Sequence, residues 1–450
     1  MSSGLQASPT VTGSVYLSFR LFGIGVIQAR LIGVAFSLLS ILLVYYLVRR
    51  IYNQSIALGT LFVMTFLPAY IELFPIYVGR QVLGEMPALA FLLAGYVCLL
   101  FVSHHPVGAI ISATLCWSIA LSTKLQVVPF WTCSLLVPMA LAVYKRDWKQ
   151  VWVWAMPLTG SLLGTRALPV MWEAVLQSKT DIADPISGLY QVTAAVRSIP
   201  SRMFALIVFV LFGIPTLLGI SYGIWGVFKS RGKIRCTYTE QVKVALLVLA
   251  STWFAWFVVF SVGWIRYLFP ATFFGSIFVA EMIYEFTSRY SLTYTVQQVL
   301  AFFRGRGLKR EGAGALLVTA IVITSVPRTA IAVYKTYFLD ADISARQAAT
   351  FLNSYTSTGA LIESYDSELF FLLNRPYHYP PDQIHVELIR RTFLYEENTR
   401  IDYNALAANP DYLVVGPHSK QWRLYDDVLH TGAFRLIRSY KRYQIYERVR

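Results

Sequence analysis

The sequence predicts an α-helical polytopic membrane protein with about ten membrane segments, followed by a small α/β domain outside the cytoplasm. Three observations carry this. Of 450 residues, 56% are hydrophobic and only 14% charged, where a soluble chain carries roughly 25% charged residues. Mean hydropathy is +0.53. Finally, long apolar runs continue to Val326 and then give way to mixed strand and helix patterns.

The elements follow in order. Met1 to Gly13 is polar and turn-rich and has no apolar stretch of the kind a cleaved signal peptide needs. Val15 to Ile27 is amphipathic, interrupted by Gly23 and Gly25, and suits a position along the interface. Leu31–Val48 is the first clear span and ends at Arg49-Arg50. Further runs are Ile56–Leu73, Pro87–Val102, Val107–Ser122, Leu125–Val143, Val151–Gly164, Met203–Phe228, Val244–Gly263, Leu268–Ala280 and Ala313–Val326. Several are near or below the ~17–25 residues that cross a bilayer.

The net charge of +15 does not point to nucleic acid, because much of it lies in short loops between apolar runs and no aromatic-rich basic patch accompanies it. Placing Arg49-Arg50 in the cytoplasm, with one crossing per run, puts inside the groups around Lys145, around Lys229 to Lys243 and from Arg289 to Arg310. These short loops are richer in Lys and Arg than the outside ones, as the positive-inside rule requires. Gly79–Glu85, Trp264–Tyr267 and everything after Tyr334 then lie outside.

After Tyr334 the periodicity changes. Asp340–Ser354, Ser367–Asn374 and Pro381–Glu397 read as helices. Ala360–Tyr365 and Leu413–Gly416 read as buried strands, and Phe434–Val449 as a strand pair around Tyr440–Arg442. The division is a transmembrane module over 1–334 and an α/β domain over 335–450. Cys98, Cys116 and Cys133 sit in apolar runs and Cys236 in a basic loop, so they read as small apolar residues, not a disulfide framework. No metal site is visible: His104-His105 falls on the cytoplasmic side without a carboxylate nearby.

Three places can carry chemistry. In Gly79-Arg-Gln-Val-Leu-Gly-Glu85, Arg80 and Glu85 lie between two apolar runs. They are charges of a solvated loop or of a polar site at the membrane surface. Glu85 also stands where the next helix begins, just ahead of Pro87, and an anion suits a helix start. Lys124 lies between runs too close for a real loop. It either snorkels to the surface or faces a polar cavity. In Trp264-Ile-Arg-Tyr-Leu-Phe-Pro270, Arg266 and Tyr267 belong to an interfacial aromatic belt, or form a cation and phenol held at a helix break. Arg80, Lys124 and Arg266 on one membrane face suit a lipid-linked phosphate, which arginine meets bidentately and lysine as a point charge.

The pattern Leu21-Phe-Gly-Ile-Gly, Gln28-Ala-Arg-Leu-Ile32, Leu47-Val-Arg-Arg50, Gly79-Arg-Gln, Gly84-Glu85, Thr123-Lys124 and Arg266-Tyr267-Leu-Phe-Pro270 resembles the GT-C membrane glycosyltransferases, in particular their protein-mannosyltransferase and aminoarabinose-transferase branch. Arg375-Pro-Tyr-His-Tyr-Pro-Pro381 and Asp411-Tyr-Leu-Val-Val-Gly-Pro417 resemble the extracytoplasmic domains of bacterial members. The resemblance implies a GT-C-like fold in a bacterial or archaeal cytoplasmic membrane, with no cofactor. It implies inverting transfer of a sugar from a polyprenyl-phosphate donor to a lipid, glycan or protein acceptor outside the cytoplasm. Arg80, Glu85, Lys124, Arg266 and Tyr267 would bind donor phosphate or substrate. The family's acidic base lies in its first exterior loop. Here Ser2 to Gly13 resembles the end of that loop and no Asp or Glu precedes Glu72, so the base is expected before Met1. Two other readings stay open: a transporter of a lipid or small anion, and a catalytically incomplete fragment or partner.

Overall fold

The computed structural model describes residues 9–176, 195–196, 198–229, 237–304, 310–339, 342–396 and 398–449. Cys236 and several loop cations used in the orientation argument (Lys179, Arg197, Arg231, Lys233, Arg235, Arg306 and Lys309) lie outside the described residues. The first part is a helical bundle. In it, α1 is Pro9–Phe22, α2 Val26–Ile51, α3 Gln54–Phe66, α4 Pro75–Arg80, α5 Glu85–Leu99, α6 Pro106–Thr123, α7 Val128–Tyr144 and α8 Trp148–Leu176. Then come α9 Ile199–Val208, α10 Ile214–Lys229, α11 Tyr238–Phe260, α12 Ile265–Phe286, α13 Leu292–Phe303 and α14 Arg310–Tyr334.

Among the described residues, seven helical segments are long and apolar enough to cross a membrane: α2, α6, α7 with its preceding turn, α9–α10, α11, α12 and the one beginning at Gly312. The shorter α3 and α5 are also apolar. Each of the ten predicted runs corresponds to a helix here, with altered bounds. The run Ile56–Leu73 stops as helix at Phe66, because Pro68 follows and Ala69 adopts φ 58°. The run Val151–Gly164 is part of a helix continuing to Leu176.

The central helix is α12, packed on α3, α10 and α11, with Phe269, Phe274 and Phe278 fully buried. Close approach of α5 and α6 depends on Gly95, where a Cβ would meet the Trp117 ring at 2.2 Å. Trp117 Nε1 donates to the Leu92 carbonyl at 3.0 Å, so the tight contact also satisfies a buried donor. At one end of the bundle Glu281 of α12 accepts from Tyr52 Oη and Lys243 Nζ, both at 2.6 Å.

The C-terminal region sits at the opposite end. It is a three-layer α/β unit with strands β1 Ile362–Ser364, β2 Tyr377–His378, β3 Tyr412–Val415, β4 Phe434–Ser439 and β5 Gln444–Arg448. The sheet order is β2-β1-β3-β5-β4, parallel through β2-β1-β3 and antiparallel beyond. Helix α15, Ser344–Tyr355, packs Ala348 and Leu352 on Ile362 and Val414 on one face. Helix α16, Asp382–Phe393, packs Ile384 and Leu388 on Leu413 and Val415 on the other.

One predicted helix is absent. Ser367–Asn374 forms a single 3-10 turn, Ser367–Leu369, followed by an irregular stretch. Asn353 takes its backbone groups away: its amide donates to the Leu372 carbonyl at 2.9 Å, and its carbonyl oxygen accepts from Asn374 N at 2.8 Å. Phe370 stacks on Tyr377 at 4.5 Å, and the short parallel strand β2 that carries Tyr377 was not anticipated.

Candidate functional site

The site lies where the bundle meets the C-terminal region. Glu85 is the first residue of α5, and its side chain is 6% exposed. Lys124 caps the C-terminal end of α6 in extended conformation, φ −149°. The two side chains form an ion pair. An anion at one helix's N-terminus thus meets a cation at its neighbour's C-terminus, so each charge also faces the favourable end of a dipole. The residue that holds Glu85 is therefore Lys124, not Arg80.

Arg266, the second residue of α12, lies within the field of this pair. Its guanidinium stands 4.9 Å from the Trp264 ring centre and 5.4 Å from that of Tyr267. Lys124 Nζ is 5.9 Å from the same Tyr267 ring. Glu72, in the turn Ile71–Leu73 after α3, accepts from the Arg266 backbone N–H and opposes its charge. Two cations, two carboxylates and a phenol from four places in the sequence thus converge. An apolar crevice runs between α3, α10 and α12, lined by Val63, Met64, Leu67, Phe212, Leu73, which follows Glu72, and Phe269, one turn along α12 from Arg266.

Arg80 keeps different company. Its guanidinium lies 5.8 Å from the Tyr77 ring and 5.5 Å from that of Tyr337, and it acts electrostatically on Arg30, which Glu368 of the C-terminal region offsets. The structure therefore gathers Glu85, Lys124, Arg266 and Tyr267, and sets Arg80 in a neighbouring group. Two glycines place Arg80. A Cβ on Gly33 would lie 1.9 Å from the Gly79 carbonyl oxygen, so α4 lies directly on α2. Ser37 Oγ secures the contact by donating to Pro75 O at 3.1 Å. In the following turn Val82 holds φ 57°, which is costly for a β-branched residue.

The C-terminal region supplies further groups that sequence reasoning missed. Helix α16 packs Val386 and Ile389 against Trp264, and the Phe393 ring meets Trp264 edge-on at 5.1 Å. His385, on the same helix, shares a hydrogen bond with Tyr365 Oη through Nδ1 at 2.6 Å. Burial, aided by the charge of Arg266 and by His418, pushes its imidazole down to about 4, so it is neutral at physiological pH. Glu363 on β1 is wholly buried and accepts from Tyr403 Oη at 2.6 Å and Tyr425 Oη at 2.9 Å, with His378 Nδ1 at 2.6 Å. Burial raises its carboxyl above the ordinary range. Among the described residues no three or more His, Cys, Asp or Glu side chains gather as metal ligands would.

Of the missed residues, Glu72 had a visible signal: it is the first acidic residue of the chain and stands within an apolar stretch. The others belong to contacts between segments 15 or more residues apart, which no local pattern records.

Residues 8–172 match the family described as dolichyl-phosphate-mannose-protein mannosyltransferase. No curated protein matches the sequence. Among solved structures, the fold is similar to ArnT from Cupriavidus metallidurans bound to undecaprenyl phosphate, with a TM-score of 0.64 and 15% identity, covering 99% of this chain and 88% of that one. Its apo state matches with a TM-score of 0.58, again at 15% identity and with the same coverage of both chains. The apo oligosaccharyltransferase of Archaeoglobus fulgidus matches with a TM-score of 0.51 and 11% identity, over 92% of this chain and 62% of that one. The chain thus resembles the mannosyltransferase family in sequence over residues 8–172, and nearly its whole length has a fold similar to that of ArnT.

Proposed function

We propose that the chain is a membrane glycosyltransferase that takes a sugar from a polyprenyl-phosphate donor and passes it to an acceptor at the outer membrane surface. One observation carries the reading: Lys124 and Arg266 converge on the Tyr267 ring, on the end of the bundle that the C-terminal region covers, while Phe269, one turn along α12 from Arg266, lines an apolar crevice. A lipid-linked phosphate needs those two surroundings side by side, cations for its oxygens and apolar walls for its chain. ArnT bound to undecaprenyl phosphate, similar in fold, supports this ligand class.

The roles follow from the chemistry. Arg266 offers a planar fork to the phosphate, held on the faces of Trp264 and Tyr267. Lys124 adds a second positive charge, aimed by Glu85. Together they stabilise the charge that develops on the leaving phosphate as the bond to the sugar breaks, which is an electrostatic task. Glu72 fixes the start of α12 through the Arg266 backbone.

The test is direct. In nanodiscs, binding of undecaprenyl phosphate should weaken at least tenfold in Arg266→Ala and in Lys124→Ala. That loss is about 1.4 kcal/mol, within the range of a charge-assisted hydrogen bond. With a polyprenyl-phosphate sugar, both variants should lose kcat as well as affinity. Wild-type binding that neither substitution changes would overturn the assignment. Movement of the lipid across a vesicle membrane without cleavage of its sugar–phosphate bond would favour a transporter instead.

A further inference from the structure

We infer that Phe393 of the C-terminal region is a positioning residue for Arg266, acting through the indole of Trp264. The geometry is a three-part stack. Phe393 ends α16 and meets the Trp264 ring at 5.1 Å, with planes 81° apart, an edge-to-face contact. Trp264, the residue before α12, carries the Arg266 guanidinium on its ring at 4.9 Å. Trp264 also meets Tyr267 at 5.4 Å, and Tyr267 in turn faces Lys124 at 5.9 Å.

Trp264 stands just ahead of α12 and is covered by the C-terminal region. Its backbone is extended, φ −61° and ψ 128°, and α12 begins only at the next residue. What covers it is α16, through Val386, Ile389 and Phe393. Phe393 is itself anchored from the bundle, because its carbonyl accepts a hydrogen bond from Ser201 Oγ of α9. The C-terminal region therefore grips the bundle at the residue that carries the site's arginine. An arginine stem has several rotatable bonds, and a guanidinium lying on a fixed ring loses less freedom on meeting phosphate than one in water. The C-terminal region is on this view part of the phosphate site, though none of its residues need touch the phosphate.

The inference rests on the proposed phosphate site for its effect on activity, but not for its structural content, and the experiment separates the two. In the full chain in nanodiscs, Arg266 is labelled with phenylglyoxal and the modified peptide is followed by mass spectrometry. Phe393→Leu should speed labelling of Arg266 about threefold or more, the equivalent of a lost cation–π contact. Trp264→Phe, which weakens the same stack from the membrane side, should do likewise. Phe393→Tyr keeps the ring and should label as wild type. Leu424→Ala, which opens the same core of the C-terminal region without touching Trp264, should lower the thermal midpoint and leave labelling unchanged.

Wild-type labelling in both Phe393→Leu and Trp264→Phe overturns the inference. So does equal acceleration in Leu424→Ala, which would show loosening of the whole region. The second readout is undecaprenyl phosphate binding, expected to weaken about threefold to tenfold in Phe393→Leu, with Arg266→Ala as reference. If Arg266→Ala binds as wild type, the phosphate site fails while the labelling result still decides the positioning role. If Arg266→Ala loses binding and Phe393→Leu does not, the positioning role fails and the phosphate site stands.

Discussion

At the residue scale the informative pair is Glu85 and Lys124. Each is costly to bury alone, and each is 6% or 19% exposed in its side chain. Glu85→Gln removes the partner of a largely buried ammonium and should destabilise the protein by about 2 kcal/mol, the usual penalty for a stranded buried polar group. The double variant Glu85→Gln/Lys124→Met should be more stable than the sum of the single losses predicts, since it leaves no charge unpaired. Chemical denaturation of the four proteins measures this, and strictly additive losses would show the pair to be uncoupled. The sequence identified both residues as out of place in apolar surroundings, and rightly as groups to explain. It could not show that they explain each other, because thirty-nine positions separate them and only the antiparallel packing of α5 on α6 brings them together.

At the element scale, placement depends on small residues. Gly33 and Gly79 let α4 rest on α2 backbone to backbone. Gly33→Ala forces its new methyl onto the Gly79 carbonyl and should cost about 1–3 kcal/mol, the range for overpacking. It should also move α4, so that Arg80 leaves the Tyr77 and Tyr337 rings. A thermal midpoint equal to wild type would show that the contact is looser than described. The runs that became helices were readable from hydropathy alone, since a bilayer-length apolar segment has few other options. Their ends were less readable. Ala69 at positive φ ends α3 before its apolar run does. In the C-terminal region the side chain of Asn353 captures the backbone that Ser367–Asn374 would otherwise use for a helix. Strand β3 was readable as a buried apolar run before a Gly-Pro turn and β4 and β5 as a strand pair, whereas β2, two residues long at the sheet edge, has no periodicity to read.

At the scale of the whole molecule, the GT-C resemblance anticipated the fold, and the convergence of Lys124 with Arg266 is the geometry on which the proposed phosphate site rests. The separate position of Arg80 was beyond the sequence, because three cations predicted on one membrane face are not thereby in one place. Two ring pairs are among the contacts between the C-terminal region and the bundle. Phe371 meets Phe19 of α1 with ring centres 5.9 Å apart, and Phe393 meets Trp264. One point belongs to the opening helix of the chain and the other to its central helix. A layer tied at both places cannot melt early without exposing Trp264 and Phe19, nor can the bundle loosen without pulling on the sheet. Heating in nanodiscs should therefore give a single calorimetric transition with equal calorimetric and van't Hoff enthalpies, as for one cooperative unit. Two resolved transitions would mean that the attachment carries too little energy to join them. The thermal fate of the soluble-looking layer and that of the helices in the lipid are, by this attachment, one event.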